Sequence, residues 1–305
     1  MLYLVNTHMA TVTGQQPTQA AAVRSAPWVA IAWFAALIVA VYFPVFRHLV
    51  GVWSSDDDMG HGFFVPLVAG YLVWQRRERL LAVNWKPAWW GIAIVLLGVA
   101  ESYVGTLGAE QFLQGTAPLV TLVGVLLTLG GVPLVRELAF PLMLLPFMIP
   151  LPTLIYNKIT FPLQLFASWV AENVLNLIDI PALRDGNVLR LPNQTLNVAE
   201  ACSGIRSLLS LTFLSLVYGY FFDRKVWMRV ALVIATVPIA ILTNAGRVTI
   251  TGIVSEKIDP SLASGISHEI EGFLVFLAAI GMLIALHAIL NRFFKGPAPK
   301  EAHHA

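Results

Sequence analysis

The hydrophobic and polar positions of this chain fall into long apolar runs joined by short polar links, and most runs approach the ~20 residues a helix needs to cross a bilayer core. Runs at about Ala26 to Phe46, Gly60 to Trp74, Trp89 to Val104, Ala117 to Val135, Leu138 to Ile149, Ile205 to Phe222, Val226 to Thr243 and Ile270 to Leu290 predict a bundle of about eight spanning helices. Pro150 and Pro152 stop the fifth helix, because proline removes a backbone donor and clashes with the preceding turn. The pattern then changes. From Pro162 to Ile178, Leu163, Phe166, Trp169, Val170, Val174 and Leu177 recur at helical spacing against Gln164, Ser168, Glu172, Asn173 and Asn176. This predicts an amphipathic helix lying on the membrane surface. Arg184 to Asn193 and Thr195 to Ala199 read as two short extended segments around a Pro-Asn turn, a β-hairpin. The fold class expected is an all-α polytopic membrane protein, with the amphipathic helix and hairpin on its outer face.

Composition agrees with this pattern. Of 305 residues, 57% are hydrophobic and 12% charged, and the mean hydropathy is +0.75. The polar spacers are too short for a soluble domain. One integral domain, residues 26–292, is therefore expected between an N-terminal tail (1–25) and a C-terminal tail (293–305). The first 25 residues are rich in Thr, Gln and Ala and lack the charged start and apolar core of a signal peptide. A net charge of +2 with scattered basic residues points away from nucleic acid and toward the lipid bilayer as the chain's main partner. A single cysteine excludes an internal disulfide and a cysteine-rich metal site, and no metal or cofactor is expected.

Charge also orients the bundle. With a cytoplasmic N-terminus, eight spans leave 12 of the 19 Lys and Arg inside, among them the Arg76-Arg77-Glu78-Arg79 cluster, Arg224, Lys225, Arg229 and the tail cations, while Asp56-Asp57-Asp58 falls outside. Cys202 just precedes the sixth span, Arg247 follows the seventh and His268 precedes the eighth, so all three are expected at the outer interface.

That coincidence has chemical content. A cysteine at a helix N-terminus near a cation favours the thiolate, which is the nucleophile. Arg206, four residues on, shares a helix face with Cys202. A histidine exchanges protons near neutral pH, whereas an arginine only donates. Cys202 as nucleophile, His268 as general acid/base and Arg247 as donor to an oxyanion or substrate carbonyl would serve acyl transfer from a peptide or ester. Each residue also has a plain alternative: a small buried hydrophobe for Cys202, an interfacial histidine for His268 and a side chain reaching lipid phosphate for Arg247. Arg206 is open among oxyanion donor, thiolate partner and ligand for an acidic substrate group. His61 is a rival base or a structural group at a helix start.

Ala199-Glu-Ala-Cys202-Ser-Gly-Ile-Arg206-Ser, then Asn244-x-x-Arg247-x-x-x-x-Gly252, then a histidine opening the last span, resemble the exosortases, membrane proteins that process PEP-CTERM-type sorting signals. The resemblance takes in Trp53, Gly60-His61-Gly62-Phe63, the basic cluster after the second span and Arg184-Asp-Gly-Asn187. It implies an eight-span cysteine transpeptidase or protease at the outer face of the bacterial inner membrane, with both termini cytoplasmic. It also implies substrate proteins carrying a Pro-Glu-Pro-like motif, a transmembrane helix and a basic tail, cleaved and passed to an acceptor, often alongside exopolysaccharide production. By resemblance the family's cysteine, arginine and histidine fall on Cys202, Arg247 and His268, with Arg206, Arg184, His61 and Asn244 as substrate-binding candidates. The amphipathic helix and hairpin would roof the cleft. The rival readings are a non-catalytic polysaccharide-export or transporter subunit and a membrane acyltransferase. Polar groups gathered at one rim rather than at midspan weigh against transport.

Overall fold

The computed structural model describes residues 28–198, 204–223, 225–258 and 266–294, with the side chains of 28 and 266–269 excepted. Eleven α-helices, two 3-10 segments and a small sheet are present among the described residues. In chain order they are α1 (Trp28–Val41), α2 (Phe43–Ser55), a 3-10 helix (Asp57–Phe63), α3 (Phe64–Gln75), α4 (Arg77–Ala82), α5 (Gly91–Leu107), α6 (Gln111–Glu137), α7 (Ala139–Leu144), a 3-10 turn (Leu145–Met148) and α8 (Thr153–Leu177). Strands β1 (Leu183–Asp185), β2 (Val188–Arg190) and β3 (Thr195–Asn197) follow, then α9 (Ile205–Phe222), α10 (Val226–Lys257) and α11 (Ile266–Phe293).

The chain is a polytopic helical membrane protein with four to six candidate spans rather than an established eight. Helices α6, α9, α10 and the part of α11 from Ile270 are each long and apolar enough to cross a bilayer. The pairs α1 with α2, bent by 68°, and α7 with α8, bent by 80°, bring the number to six if each bent pair counts once. The missing spans have a physical reason. At ~1.5 Å rise per residue, the 12 residues of α3 and the 17 of α5 fall short of the length of a full span.

Three other expectations change. The fourth span begins earlier, at Gln111, where the Glu110 carboxylate accepts from the Leu113 N–H as an N-cap, and it breaks at Gly131. Gly131 stands at φ +70°, against the carbonyl of Lys86, where no side chain fits. The amphipathic segment belongs to a longer helix, α8, whose apolar stripe Phe166, Trp169, Val174 and Leu177 stays exposed while the side carrying Gln164 and Ser168 is buried. On that buried side Ala167, Ala171 and Leu175, with Ile180, Leu189, Leu196, Val198, Ala245 and Val248, build a core joining α8, the sheet and α10. The hairpin is a three-stranded antiparallel sheet, because Gly186, at φ +65°, makes a tight turn that pairs Leu183 with Arg190 before the Pro-Asn turn pairs Arg190 with Thr195.

The largest difference concerns α10. The seventh span, expected to run to about Thr243, continues as one helix to Lys257. Thr243, Thr249 and Thr251 bond back to carbonyls one turn earlier, which satisfies their hydroxyls inside the helix. Asn244 and Arg247 are therefore fixed on a continuous helix.

At the opposite end of the bundle, charge and aromatic groups tie the helices together. Arg76 donates through Nε to Tyr220 Oη at 2.8 Å and through Nη1 to the Glu137 carbonyl, and Arg229 donates to the Asp223 carbonyl. His287 on α11 meets Tyr218 Oη at 2.8 Å and the Asp223 carboxylate at 3.2 Å. Burial alone would raise the Asp223 pKa, but the Lys225 backbone N–H and His287 outweigh it and hold the carboxyl below its ordinary range.

Candidate functional site

The first wall of the site is the 3-10 helix Asp57–Phe63. Trp53 donates its indole N–H to the Met148 carbonyl at 2.8 Å, and its ring lies directly on Gly62, where a Cβ would collide with it. Phe63 meets the same ring edge-on at 5.3 Å. Gly62 is thus a close-approach glycine. The Trp53 and Gly-His-Gly-Phe signature is a clamp that holds one segment in place.

His61 belongs to that clamp. Its Nε2 lies 3.0 Å from the Phe147 carbonyl, so Nε2 carries the proton and donates. Burial holds its pKa below the ordinary imidazole value, against the opposing pull of the Phe147 and Asp58 carbonyls and the Asp58 charge. The unfolded chain takes a proton at the ordinary value and the folded chain only below it. The stability contributed by neutral His61 is complete above that value and falls as pH drops through it. The thermal midpoint of the detergent-solubilised protein is expected to fall between about pH 7.5 and 5.5, and His61→Asn is expected to flatten that slope. An equal slope in both proteins would rule this role out.

From this wall Asp57 and Asp58 reach Arg206 at the start of α9. Arg206 Nη2 lies 3.1 Å from Asp57 and Nε 3.3 Å from Asp58. Tyr156 of α8 donates to the second oxygen of Asp58 at 2.6 Å. The two carboxylates differ. Asp58 is mostly buried and held by two donors, whereas Asp57 is 81% exposed, and an exposed ion pair is worth only about 0–1 kcal/mol. Arg206 therefore has one fixed partner and one exchangeable one.

The second wall is α10. Asn244 and Arg247 are one turn apart, on the side of the helix that faces α9 and α11. Asn244 is buried, its side-chain nitrogen has no hydrogen-bond partner, and it lies against Gly204, the left-handed N-cap residue of α9 at φ +73°. Burying an unpartnered amide costs about 1–3 kcal/mol. The Arg247 guanidinium rests on Gly272 of α11, where a Cβ would stand 2.9 Å from Nη2 and 3.0 Å from Cζ. Beside it the Glu271 carboxylate accepts from Thr251 Oγ1 at 2.8 Å and locks α11 to α10.

These walls enclose a groove of about 730 Å³. Its polar mouth carries Asp57, His61, Arg206 and Arg247; its floor is Phe213, Leu214 and Val217 of α9, flanked by Val68 of α3 and Phe276 and Ile280 of α11. Of the residues expected from sequence, Arg206, Arg247 and His61 line the groove, and Asn244 lies one turn before Arg247, against Gly204. The structure keeps Arg184 apart: that side chain pairs with Glu172 at 3.3 Å and fastens β1 to α8. No residue of α8 or the sheet lines the groove, so these elements buttress α10 rather than roof the cleft. Cys202 lies outside the described residues. Residue 268 sits on α11, one turn before Gly272, and its side chain also lies outside them. Asp57, Asp58, Tyr156 and Gly272 were missed. Gly272 follows His268 by one turn, which is the one sequence signal that marks its face.

The chain matches the family profile of transmembrane exosortases over residues 53–285. No curated protein and no solved structure matches it. The match begins at Trp53, the first residue of the clamp, and ends within α11, so it spans every described wall of the groove. The chain belongs to the transmembrane exosortase family.

Proposed function

We propose that the chain is a cysteine transpeptidase or protease that cuts C-terminal sorting signals at the outer face of the inner membrane and passes the new acyl end to an acceptor. The observation that carries this reading is that Asn244 lies against Gly204, the residue two after Cys202, while Arg247, one turn further along α10, lines the polar mouth of an apolar groove.

Cys202 is the nucleophile. Its sulfur attacks the scissile carbonyl carbon, the C–S bond forms as the carbonyl electron pair moves to oxygen, and collapse expels the amine, which takes its proton from His268. A second amine, or water, deprotonated by His268, then displaces the sulfur. Arg247 donates to a substrate carbonyl near the scissile bond, and its seat on Gly272 fixes its direction. The exchangeable Asp57 supports a role for Arg206 in taking an acidic substrate residue: the glutamate of a Pro-Glu-Pro-like motif replaces Asp57, and Asp58 keeps the guanidinium aimed.

Orientation rests on charge. Arg76, Arg77, Arg79, Arg136, Lys225, Arg229 and Arg292 lie at or near the end of the bundle away from the groove mouth, which favours that end, with both termini, as cytoplasmic. The test is a tagged membrane protein ending in Pro-Glu-Pro, an apolar helix and a basic tail, co-expressed with this chain. Tail loss, with a hydroxylamine-labile adduct of the substrate on Cys202, is the expected result. Tail loss with no thioester, when cleavage is slowed by low temperature, would remove the covalent mechanism.

A further inference from the structure

We infer that the Asn244 carboxamide and the first backbone amides of α9 form the oxyanion site of this reaction, an inference that rests on the acyl-transfer reading above. Asn244 is 5% exposed, and its Nδ2 is buried with no hydrogen-bond partner. Buried amides are normally paired, and one left unpaired marks a place where something else binds. Nor does packing explain the residue. Asparagine is a poor helix former, and an alanine or leucine would serve a buried helix face better.

The amide also points somewhere definite. A Cβ at Gly204 would stand 3.1 Å from Nδ2, 3.3 Å from Cγ and 3.6 Å from Oδ1, so the flat carboxamide lies against the Gly204 backbone. Gly204 begins α9 in the left-handed region, φ +73° and ψ −24°, and provides no side-chain cap. The first bond of the helix runs from the Leu208 N–H to the Gly204 carbonyl at 3.1 Å, so the amides of residues 205–207 precede the first intrahelical donor. A serine, threonine or aspartate is the usual residue at such a position, because its oxygen satisfies those donors. Here the helix start carries none, and a neutral amide donor on another helix is pressed against it instead. An unpartnered Nδ2 beside amides that the helix's own ladder does not use, at the positive end of a helix dipole, describes a site for negative charge on oxygen.

Its place in the reaction follows from the chain itself. Cys202 stands two residues before Gly204, so their Cα atoms are at most about 7 Å apart. When the thiolate attacks, the electron pair displaced from the carbonyl π bond settles on an oxygen near this helix start. Nδ2–H and the α9 amides donate to it; on collapse the pair returns to re-form the carbonyl and the C–N bond breaks toward the amine. Arg247, one turn further along α10, is then left to hold the substrate rather than the oxyanion, which separates two tasks the sequence alone assigned to one residue.

The test uses the full-length protein in proteoliposomes with a tagged substrate, comparing native, Asn244→Ala, the isosteric Asn244→Asp and Cys202→Ala. Native-like thermal midpoints establish that a variant is folded, and Asn244→Asp decides if alanine is not tolerated. Loss of an oxyanion donor is expected to lower kcat about 10²- to 10³-fold with KM little changed. The aspartate, whose charge repels the oxyanion, is expected to be the more damaging. The rate and pH profile of Cys202 alkylation should match native, because the ground-state thiol does not use this donor. Cleavage by Asn244→Asp within about threefold of native overturns the inference, since a lost donor costs far more. A loss matched by an equal slowing of alkylation overturns it too, making Asn244 a thiolate-positioning residue. If Cys202→Ala still cleaves, it is the acyl-transfer reading that falls, whichever result Asn244 gives.

Discussion

Cys202→Ala is expected to lower tail processing by about 10⁴-fold or more, the scale seen when a covalent nucleophile is removed and only binding and electrostatic groups remain. The chain has one cysteine, so the experiment has no second thiol to confuse it, and alkylation of the native protein should have the same effect. Cys202→Ser is expected to be nearly as inactive. An alcohol with a much higher pKa than a thiol needs a strong base, and a helix start with nearby guanidiniums favours an anion without removing the proton. Substrate binding should survive, because Arg206, Arg247 and the apolar floor belong to other turns and helices. Pull-down of uncut substrate by Cys202→Ala, at a level the native chain shows only transiently, would confirm it. Cleavage by Cys202→Ala at the native rate would end the assignment.

Much of this site was legible because its parts are local. Asn244 to Arg247 is a single turn of helix, and a motif at helical spacing declares a shared face whatever its surroundings. The helix expected to carry Cys202 and Arg206 on one face instead begins at Ile205, behind Gly204 in the left-handed region, so that spacing does not make them a helical pair. What the sequence hid is long-range or context-dependent. The pairing of Arg206 with Asp57 and Asp58 joins α9 to a 3-10 helix far back in the chain, and nothing in either segment announces it. The seventh span was expected to end near Thr243 because threonine, asparagine and serine are weak helix formers in isolation. In the bundle their hydroxyls bond to the preceding turn, and packing against α8 and α11 overrides propensity. The apolar stripe of α8 read from the sequence, with Phe166, Trp169, Val174 and Leu177, is exposed. The protein packs instead on another side of the helix, where the small residues Ala167 and Ala171 meet Ala245 and Val248, a contact that hydrophobic periodicity does not announce.

Arg247→Lys is expected to lower kcat/KM about 10²- to 10³-fold, although charge is kept. The reason is the seat of the guanidinium. A planar group fits flat on Gly272 between α10 and α11, and an ammonium on a flexible stem has no comparable contact to fix its direction. The same geometry predicts the effect of a change that leaves Arg247 itself intact. In Gly272→Ala the new methyl stands 2.9 Å from Nη2 and 3.0 Å from Cζ, closer than carbon and nitrogen tolerate. The guanidinium, as the free end of a long side chain, gives way more readily than the helix, so the thermal midpoint should change little. A displacement on the order of 1 Å is enough to cost about 10²-fold in rate. A stable but slow Gly272→Ala protein is therefore the specific expectation, measured as cleavage rate against thermal midpoint in one preparation. If Gly272→Ala is as fast as native while Arg247→Lys is slow, direction is irrelevant and Arg247 acts through the delocalised charge of its guanidinium. If both lose stability in proportion to rate, the contact between α10 and α11 is structural, and the donor near the scissile bond must be sought in Arg206.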